Sequence, residues 1–239
     1  MKLTEVKDHT KALLVCIAGN LCDPRVFSQI TVPANIEICY LDYLSGTGPW
    51  DMDSMGYKLL EIINNLSVPI VLAGYSAGGV LAMSAASKSP SSIAGLVLSN
   101  TGPCSIGHGN PNFPTELSLN YNNEEYIRKF LTSCFAQKIS KAFEDQLWHY
   151  TRTVNCQAAY HVSKSLREAD YRDGLKKFDN PVALIHGQLD TRRKLNSVET
   201  MKECMPQAEV TLLQTGHTPM WEDPIGYQNA LDALLSKIK

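Results

Sequence analysis

Short apolar segments alternate with longer amphipathic segments along most of the chain, and this alternation restricts the fold more than any other feature. The first run, Lys11–Gly19, is continuously apolar, as expected for a strand buried on both faces. Five further runs are strand candidates: Ile36–Leu44, Val68–Ala73, Ile93–Asn100, Pro181–His186 and Glu209–Gln214. Helix-like segments follow at Ser54–Asn64, Gly78–Lys88, Lys194–Met205 and Ile225–Lys239. This order predicts an α/β fold with a doubly wound, mostly parallel sheet and helices on both faces.

The stretch 103–172 breaks this rhythm because it contains no strand candidate. It opens with a segment rich in Gly, Pro and Asn, residues 107–114, and continues with three helix-like segments. These are expected to begin at the N-cap residue Asn122, near Ser140, and at Cys156, the last one reaching Arg167. We therefore predict a core of residues 1–102 and 173–239, with residues 103–172 inserted as a helical cap between two strands.

The strand Val68–Ala73 runs directly into the sequence GYSAGG at 74–79, and a helix of small residues follows. This is G-x-S-x-G in the strand–turn–helix setting in which the motif forms a nucleophile elbow. A turn this sharp requires neighbours with almost no side chain. The pattern predicts that Ser76 is a nucleophile at the carboxyl edge of the sheet and that the Ala77 N–H stabilises an oxyanion. An idle serine in a glycine-rich turn is the alternative.

A serine nucleophile needs a base, and the base needs an acid that orients it. His217 follows the last predicted strand, and Asp190 lies on the loop after the strand that ends at His186. The loop after Ile93–Asn100 offers no carboxylate, so the choice of acid falls on Asp190. We expect His186 to be a packed residue at a strand end, and the remaining histidines lie in the N-terminal segment or the insertion: His9, His108, His149 and His161.

A second oxyanion donor should come from the loop after the first buried strand. The backbone N–H of Asn20 is the best candidate on that loop, with Leu21 as the runner-up. Aromatic residues of the insertion are candidates for lining a substrate pocket, although ordinary packing is the more common role of such residues. The pocket residues predicted by name are Leu21, Tyr75, Trp148 and Trp221.

With these motifs in place, the chain resembles the α/β-hydrolase superfamily, in the subset with a short helical cap. The resemblance runs from about Lys11 to Leu235. It is carried by GYSAGG at 74–79, NPVALIHGQLD at 180–190 and GHTPMWEDP at 216–224, a pattern that the family places around its catalytic histidine. Two features depart from the family. Ala18-Gly19 replaces the usual His-Gly, and the short N-terminal segment leaves a sheet of six or seven strands.

The motifs and the resemblance together predict a serine hydrolase that cleaves a small carboxylic ester, lactone or thioester through an acyl-serine intermediate. Fold and triad do not exclude C–C bond hydrolysis, lyase chemistry or acyl transfer. A ligand-binding receptor that retains a slow triad is a further alternative. The sequence has no metal-ligand spacing, phosphate loop or dinucleotide fingerprint, so we expect neither a metal nor another cofactor.

Charge and cysteine content restrict the partners. A net charge of −2 predicts no nucleic-acid partner, no apolar run is long enough to span a bilayer, and the oligomeric state is left open. Seven single cysteines and an N-terminus without the features of a signal peptide predict a cytoplasmic protein. The basic cluster Arg192–Lys194 favours a solvated helix start, the alternative being a contact with an acidic substrate.

Overall fold

Seven strands form one sheet in the computed structural model, which describes residues 1–4, 10–105 and 110–238. The strands are β1 (Lys2–Leu3), β2 (Ala12–Ile17), β3 (Ile36–Asp42), β4 (Ile70–Tyr75), β5 (Gly95–Ser99), β6 (Val182–Gly187) and β7 (Glu209–Leu213). Their order across the sheet is β1-β3-β2-β4-β5-β6-β7, and only β1 runs antiparallel to its neighbour. The predicted α/β fold with a mostly parallel sheet is therefore confirmed.

Ten α-helices accompany the strands within the part of the chain that the structure describes. Before the insertion these are α1 (Met52–Asn64) and α2 (Ala77–Lys88). Between β5 and β6 lie α3 (Phe113–Asn120), α4 (Glu124–Thr132), α5 (Lys141–Thr151), α6 (Cys156–Glu168) and α7 (Arg172–Leu175). The C-terminal part contains α8 (Asn196–Cys204), α9 (Pro219–Glu222) and α10 (Pro224–Leu235), and two short 3₁₀ helices lie at Pro24–Phe27 and Pro90–Ser92.

All six predicted strands and all four predicted helices outside the insertion are present, with ends shifted by a few residues. The prediction for the insertion was incomplete. Helix α3 was missed because Pro114 was read as part of a loop, although proline is compatible with the first turn of a helix. Helix α4 is capped by Asn123 and not by the predicted Asn122, since the Asn123 side chain accepts the Tyr126 N–H. Residues 106–109 of the predicted entry segment, and with them His108, lie outside the described residues, as does His9.

The two ends of the insertion are joined to each other. Cys104 and Asp170 form an isolated antiparallel bridge, and the Tyr171 N–H donates to the Pro103 carbonyl at 2.9 Å. The chain thus leaves the sheet after β5 and returns to β6 through adjacent points. Among the described residues of this stretch, none belongs to the sheet. The boundaries of the inserted cap, residues 103–172, stay a prediction.

The strand order reverses at β2. The chain passes from β2 to β3 on one side and then to β4 on the other, so the first right-handed crossovers lie on opposite faces of the sheet. In doubly wound sheets the carboxyl ends on either side of such a reversal form a crevice in which ligands bind. Here that position lies between Gly19, which follows β2, and Ser76, which follows β4.

Close backbone packing surrounds the turn between β4 and α2. A Cβ atom built on Gly74 would lie 2.5 Å from the Cα atom of Gly79. A Cβ atom on Gly78 would overlap the carbonyl oxygens of Ile17 and Ala18, at the end of β2. Because backbone atoms cannot move aside as flexible side chains can, both positions require glycine. No helix of the described residues is both long and apolar enough to cross a bilayer.

We expect the substitution Gly78→Ala to lower the free energy of unfolding by about 3 kcal/mol or more, because the added methyl group overlaps backbone oxygens of β2. Urea denaturation followed by circular dichroism measures the loss. Gly95→Ala is the matched control, since the nearest atom to its added methyl is the end of the Ile238 side chain, which can rotate away. Equal losses for the two variants would contradict the close packing of the turn.

Candidate active site

Ser76 lies between β4 and α2 with a left-handed backbone, φ 53° and ψ −118°. L-residues rarely adopt this conformation, and it holds the side chain out at the carboxyl edge of the sheet. Two hydrogen bonds hold it there. The Ser76 N–H donates to the Ser99 carbonyl at 3.0 Å, and the Thr101 hydroxyl donates to the Ser76 carbonyl at 2.7 Å. The elbow is thereby fixed to the end of β5.

His217 and Asp190 reach Ser76 from two other loops. His217 Nε2 lies 3.0 Å from Ser76 Oγ, and His217 Nδ1 lies 2.7 Å from Asp190 Oδ2. With the proton on Nδ1, the ring donates to the carboxylate and Nε2 is free to accept the serine proton. The three residues predicted from separate sequence motifs are thus adjacent, and their side chains form a continuous hydrogen-bonded relay.

The Asp190 carboxylate is fully buried and ionised. Burial alone would raise its pKa, but the charge of the neighbouring His217 and the hydrogen bonds that Asp190 accepts outweigh burial, and the pKa is lowered to about 2. The hydrogen bonds come from His217, from the Asn100 side-chain amide at 2.6 Å, and from the backbone N–H of Arg192 at 2.7 Å. The acid therefore stays charged and aligned with the imidazole.

Asn100 is a site residue to which the sequence analysis gave no role. It follows β5, has φ 45°, and its side-chain amide donates to both Asp190 and the Gly216 carbonyl. Its side-chain oxygen accepts the Gly187 N–H at 3.2 Å. One side chain therefore joins the loop of the acid to the loop of the base. Its place directly after a buried strand is the signal in the sequence that could have identified it. Only a carboxylate was expected at that position, so the amide received no role.

The loop that carries His217 is also held by Glu222 and by the insertion. The Glu222 carboxylate accepts the N–H groups of Gly216 and Thr218, on either side of His217, and the N–H of Ala136 in the insertion. The His217 N–H itself donates to the Cys134 carbonyl at 3.0 Å. The position of the imidazole thus depends on contacts with residues of the insertion.

The candidate oxyanion donors lie on both sides of Ser76. Ala77 is the first residue of α2, where an N–H group has no acceptor within the helix. Asn20 lies in a turn closed by the Cys22 N–H and the Gly19 carbonyl, and its side-chain amide donates to Ala159 and Ser163 of α6. Both Ala77 and Asn20 border the cavity at Ser76, whereas Leu21 is fully buried and does not line it. This arrangement favours Asn20 over Leu21.

A cavity of about 340 Å³ opens at Ser76 and His217. Its apolar wall comes largely from the insertion, through Phe113, Phe130, Leu131, Phe135, Leu147 and Leu166. Its polar wall includes Arg167, Arg192 and Arg193. The cavity therefore places Ser76, an apolar surface and three arginines around one space.

Of the four predicted pocket residues, only Tyr75 lines this cavity. The Trp148 ring lies against the guanidiniums of Arg128 and Arg152, at 5.4 and 5.3 Å, and Trp221 stacks on Phe143 at 3.7 Å. Trp148 packs within the insertion, Trp221 packs the core against the insertion, and neither lines the cavity. The interpretation of these two residues and of Leu21 as cavity residues was therefore wrong, because aromatic content in a sequence does not reveal which face of a helix turns inward.

Comparison with known proteins agrees with this arrangement. The family model described as "alpha/beta hydrolase fold" matches residues 65–224, about two thirds of the chain. A 3-oxoadipate enol-lactonase from Acinetobacter baylyi is 20% identical over 195 residues, which cover 80% of this chain and 73% of the relative. A pimeloyl-[acyl-carrier protein] methyl ester esterase from Nitrosomonas europaea is 26% identical over 201 residues, which cover 77% of this chain and 78% of the relative. The structure of an esterase from Exiguobacterium antarcticum superposes with a TM-score of 0.82 at 17% identity, and the match covers 95% of this chain and 93% of the esterase.

The buried charge of Asp190 should make stability depend on pH in a defined direction. Its pKa is lower in the folded chain than in the unfolded one, so its ionisation stabilises the fold at neutral pH and this contribution is lost as the pH falls toward 2. The difference in unfolding free energy between the wild type and Asp190→Asn should be roughly 1 kcal/mol smaller at pH 3 than at pH 6. Urea denaturation at both pH values measures it. The exposed Asp179→Asn is the control. A difference in unfolding free energy between the wild type and Asp190→Asn that is larger at pH 3 than at pH 6 would contradict the lowered pKa of Asp190.

Proposed function

The chain belongs to the α/β-hydrolase fold family, and we propose that it is a serine hydrolase that cleaves small carboxylic esters, lactones or thioesters. The relay from Ser76 through His217 to Asp190, with contacts of 3.0 and 2.7 Å, is the observation that carries the proposal. Such a relay supplies the nucleophile, the base and the orienting acid that acyl transfer through serine commonly uses. The names of the related esterase and enol-lactonase support cleavage of an ester or lactone.

In the proposed reaction, Ser76 Oγ attacks the carbonyl carbon of the substrate while its proton passes to His217 Nε2. The tetrahedral intermediate carries its negative charge on the former carbonyl oxygen, which the N–H groups of Ala77 and Asn20 stabilise. The bond to the leaving group then breaks, and His217 returns the proton to the departing oxygen or sulfur. A water molecule, deprotonated by His217, attacks the acyl-serine by the same steps in reverse and releases the acid and free Ser76.

The insertion acts, in this proposal, as a cap that encloses the substrate and contributes to its recognition. Two observations support this role. The apolar wall of the cavity comes mainly from helices of the insertion, and the Asn20 side chain fixes the oxyanion loop to α6. A cavity of about 340 Å³ suits a small substrate, since ligand pockets commonly start near 300 Å³.

Ser76→Ala should abolish turnover of 4-nitrophenyl acetate, with kcat reduced on the order of a millionfold, because the nucleophile is lost while the fold is kept. Stopped-flow absorbance measures an acylation burst in the wild type, and mass spectrometry of protein treated with a fluorophosphonate locates the label. The exposed Ser91→Ala should retain the wild-type rate. Residual kcat within about tenfold of the wild type in Ser76→Ala, or a label on another residue, would contradict the proposal.

Phe135→Ala should change the acyl-chain preference, because Phe135 lines the cavity from the insertion and its ring limits the space for the acyl chain. We expect kcat/KM for a hexanoate ester relative to an acetate ester to change by about tenfold, which is the size of discrimination that a methylene group provides in an apolar pocket. Trp148→Ala is the control, since that ring packs on the insertion away from the cavity. Unchanged ratios in Phe135→Ala, measured on folded protein, would argue against a selecting role for the cap.

A further inference from the structure

Three arginines of the candidate site have no carboxylate partner among the described residues. Arg167, Arg192 and Arg193 all line the cavity that contains Ser76 and His217. The sequence analysis favoured a solvated helix start for the second and third of them. That interpretation was wrong for Arg193, which is only 7% exposed, and α8 begins further along the chain, at Asn196. A buried guanidinium beside a nucleophile requires a different explanation from solvation.

The hydrogen bonds of these arginines leave their charges uncompensated. Arg193 donates to the Cys104 carbonyl at 3.0 Å and to the Ser105 hydroxyl at 3.5 Å. Arg167 donates to the carbonyls of Asn110 and Ser163. Neutral oxygens satisfy donor groups but carry no net charge, so the positive charge remains in the cavity.

Arg192 adds a donor that has no partner at all. Its terminal nitrogen donates to the Phe130 carbonyl and the Ser133 hydroxyl, but its buried Nε atom has no acceptor among the described residues. A buried donor without an acceptor costs free energy unless a ligand supplies one. The unpaired Nε atom leaves the hydrogen bonding of the Arg192 side chain incomplete.

Arginines elsewhere in the described chain are mostly paired with acids. Arg25 pairs with Asp23, Arg172 with Asp170, and Arg128 with three carboxylates. Arg152 also lacks an acid, but it is exposed and outside the cavity, where water solvates it. Unpaired arginine at low exposure is therefore a property of the cavity wall.

Asp190 and Glu116 interact electrostatically with Arg193 and Arg167, but their carboxylates are hydrogen-bonded to other groups. The Asp190 carboxylate is held by His217, Asn100 and backbone N–H groups, and the Glu116 carboxylate accepts from the Asn110 side chain. Burial lowers the pKa of the Arg193 guanidinium, which reflects the cost of keeping a charge there. Nevertheless arginine stays protonated at neutral pH, so the cavity holds a net positive charge.

Aromatic rings hold two of the guanidiniums in place. The rings of Phe113 and Phe130 stack with their centroids 5.1 Å apart. The Arg167 guanidinium lies over the Phe113 ring, 5.4 Å from its centroid, and the Arg192 guanidinium lies 4.4 Å from the centroid of Phe130. A planar guanidinium held in this way is preorganised for bidentate contact with a carboxylate.

We propose that the substrate of this hydrolase carries a free carboxylate, which Arg167, Arg192 and Arg193 bind while Ser76 attacks the ester or lactone carbonyl. The substrate class is thus the half-ester or lactone of a dicarboxylic acid, or an ester whose leaving group carries the acid. This inference rests on the proposed function and narrows it. Without the arginines, the apolar wall of the same cavity would disfavour a charged substrate.

The test compares pairs of esters that differ only in one charge. Mono-4-nitrophenyl glutarate and its methyl ester carry the difference on the acyl side, and 4-acetoxybenzoate and its methyl ester carry it on the leaving-group side. We expect kcat/KM for the acid to exceed that for its methyl ester by about tenfold or more in one pair, and that pair identifies the side that is recognised. Ratios at or below one in both pairs would overturn the inference while leaving the proposed function intact.

Substitutions test whether the arginines cause the preference for the acid over its methyl ester. In Arg167→Gln and Arg193→Gln, the ratio of acid to methyl ester should fall by about tenfold, whatever happens to the absolute rate. Arg152→Gln, the unpaired arginine outside the cavity, should keep both the ratio and the rate. Thermal denaturation verifies folding, and Arg167→Gln preserves the test if the buried Arg193→Gln variant does not fold. A ratio unchanged in Arg167→Gln would overturn the assignment.

A separate measurement tests the anion site if no ester is hydrolysed. In that case the proposed function fails, and calorimetric titration of the wild-type protein with glutarate tests binding of the carboxylate directly. We expect binding that weakens at least about fivefold in Arg167→Gln and is unchanged in Arg152→Gln. Absence of binding, or equal binding by Arg167→Gln and the wild type, would overturn the carboxylate site.

Discussion

The left-handed backbone at Ser76 is the constraint on which the rest of the site depends. A residue with φ 53° persists only where its surroundings hold it. Here β4 is buried on both faces, the Ser76 N–H and carbonyl are bonded to the end of β5, and Gly78 lets the turn approach the end of β2. Strain at one residue is thus balanced by the central part of the sheet, and the nucleophile is presented where three strands end.

The positions of His217 and Asp190 depend less on their own strands than on side chains that connect loops. Asn100 joins the loop of Asp190 to that of His217, and the Glu222 carboxylate ties the His217 loop to Ala136 of the insertion. Hydrogen bonds of this kind fix orientation within fractions of an ångström, which proton transfer requires. The insertion therefore completes the relay in addition to forming the roof of the cavity.

The negative and the positive charges around the site differ in how well neighbouring groups compensate them. The negative charge of Asp190 is compensated by His217, Asn100 and backbone N–H groups. Among the described residues, the hydrogen bonds of the Arg167 and Arg193 side chains go to neutral oxygens. A protein keeps uncompensated charge in a buried place at a cost to its stability, and such places are typical of sites that bind a ligand of opposite charge.

Local sequence patterns by themselves determined the sheet, the elbow and the three residues of the relay. Buried strands, a glycine-bounded serine and polar residues after strands are properties of short segments, and the carboxyl ends of parallel strands necessarily meet at one edge. Tertiary structure alone decided which residues line the cavity. Trp148 and Trp221 turn away from it, while Arg193 turns inward, because side-chain direction depends on how helices of the insertion pack on the core. The bridging role of Asn100 was likewise invisible, since it exists only between loops distant in sequence.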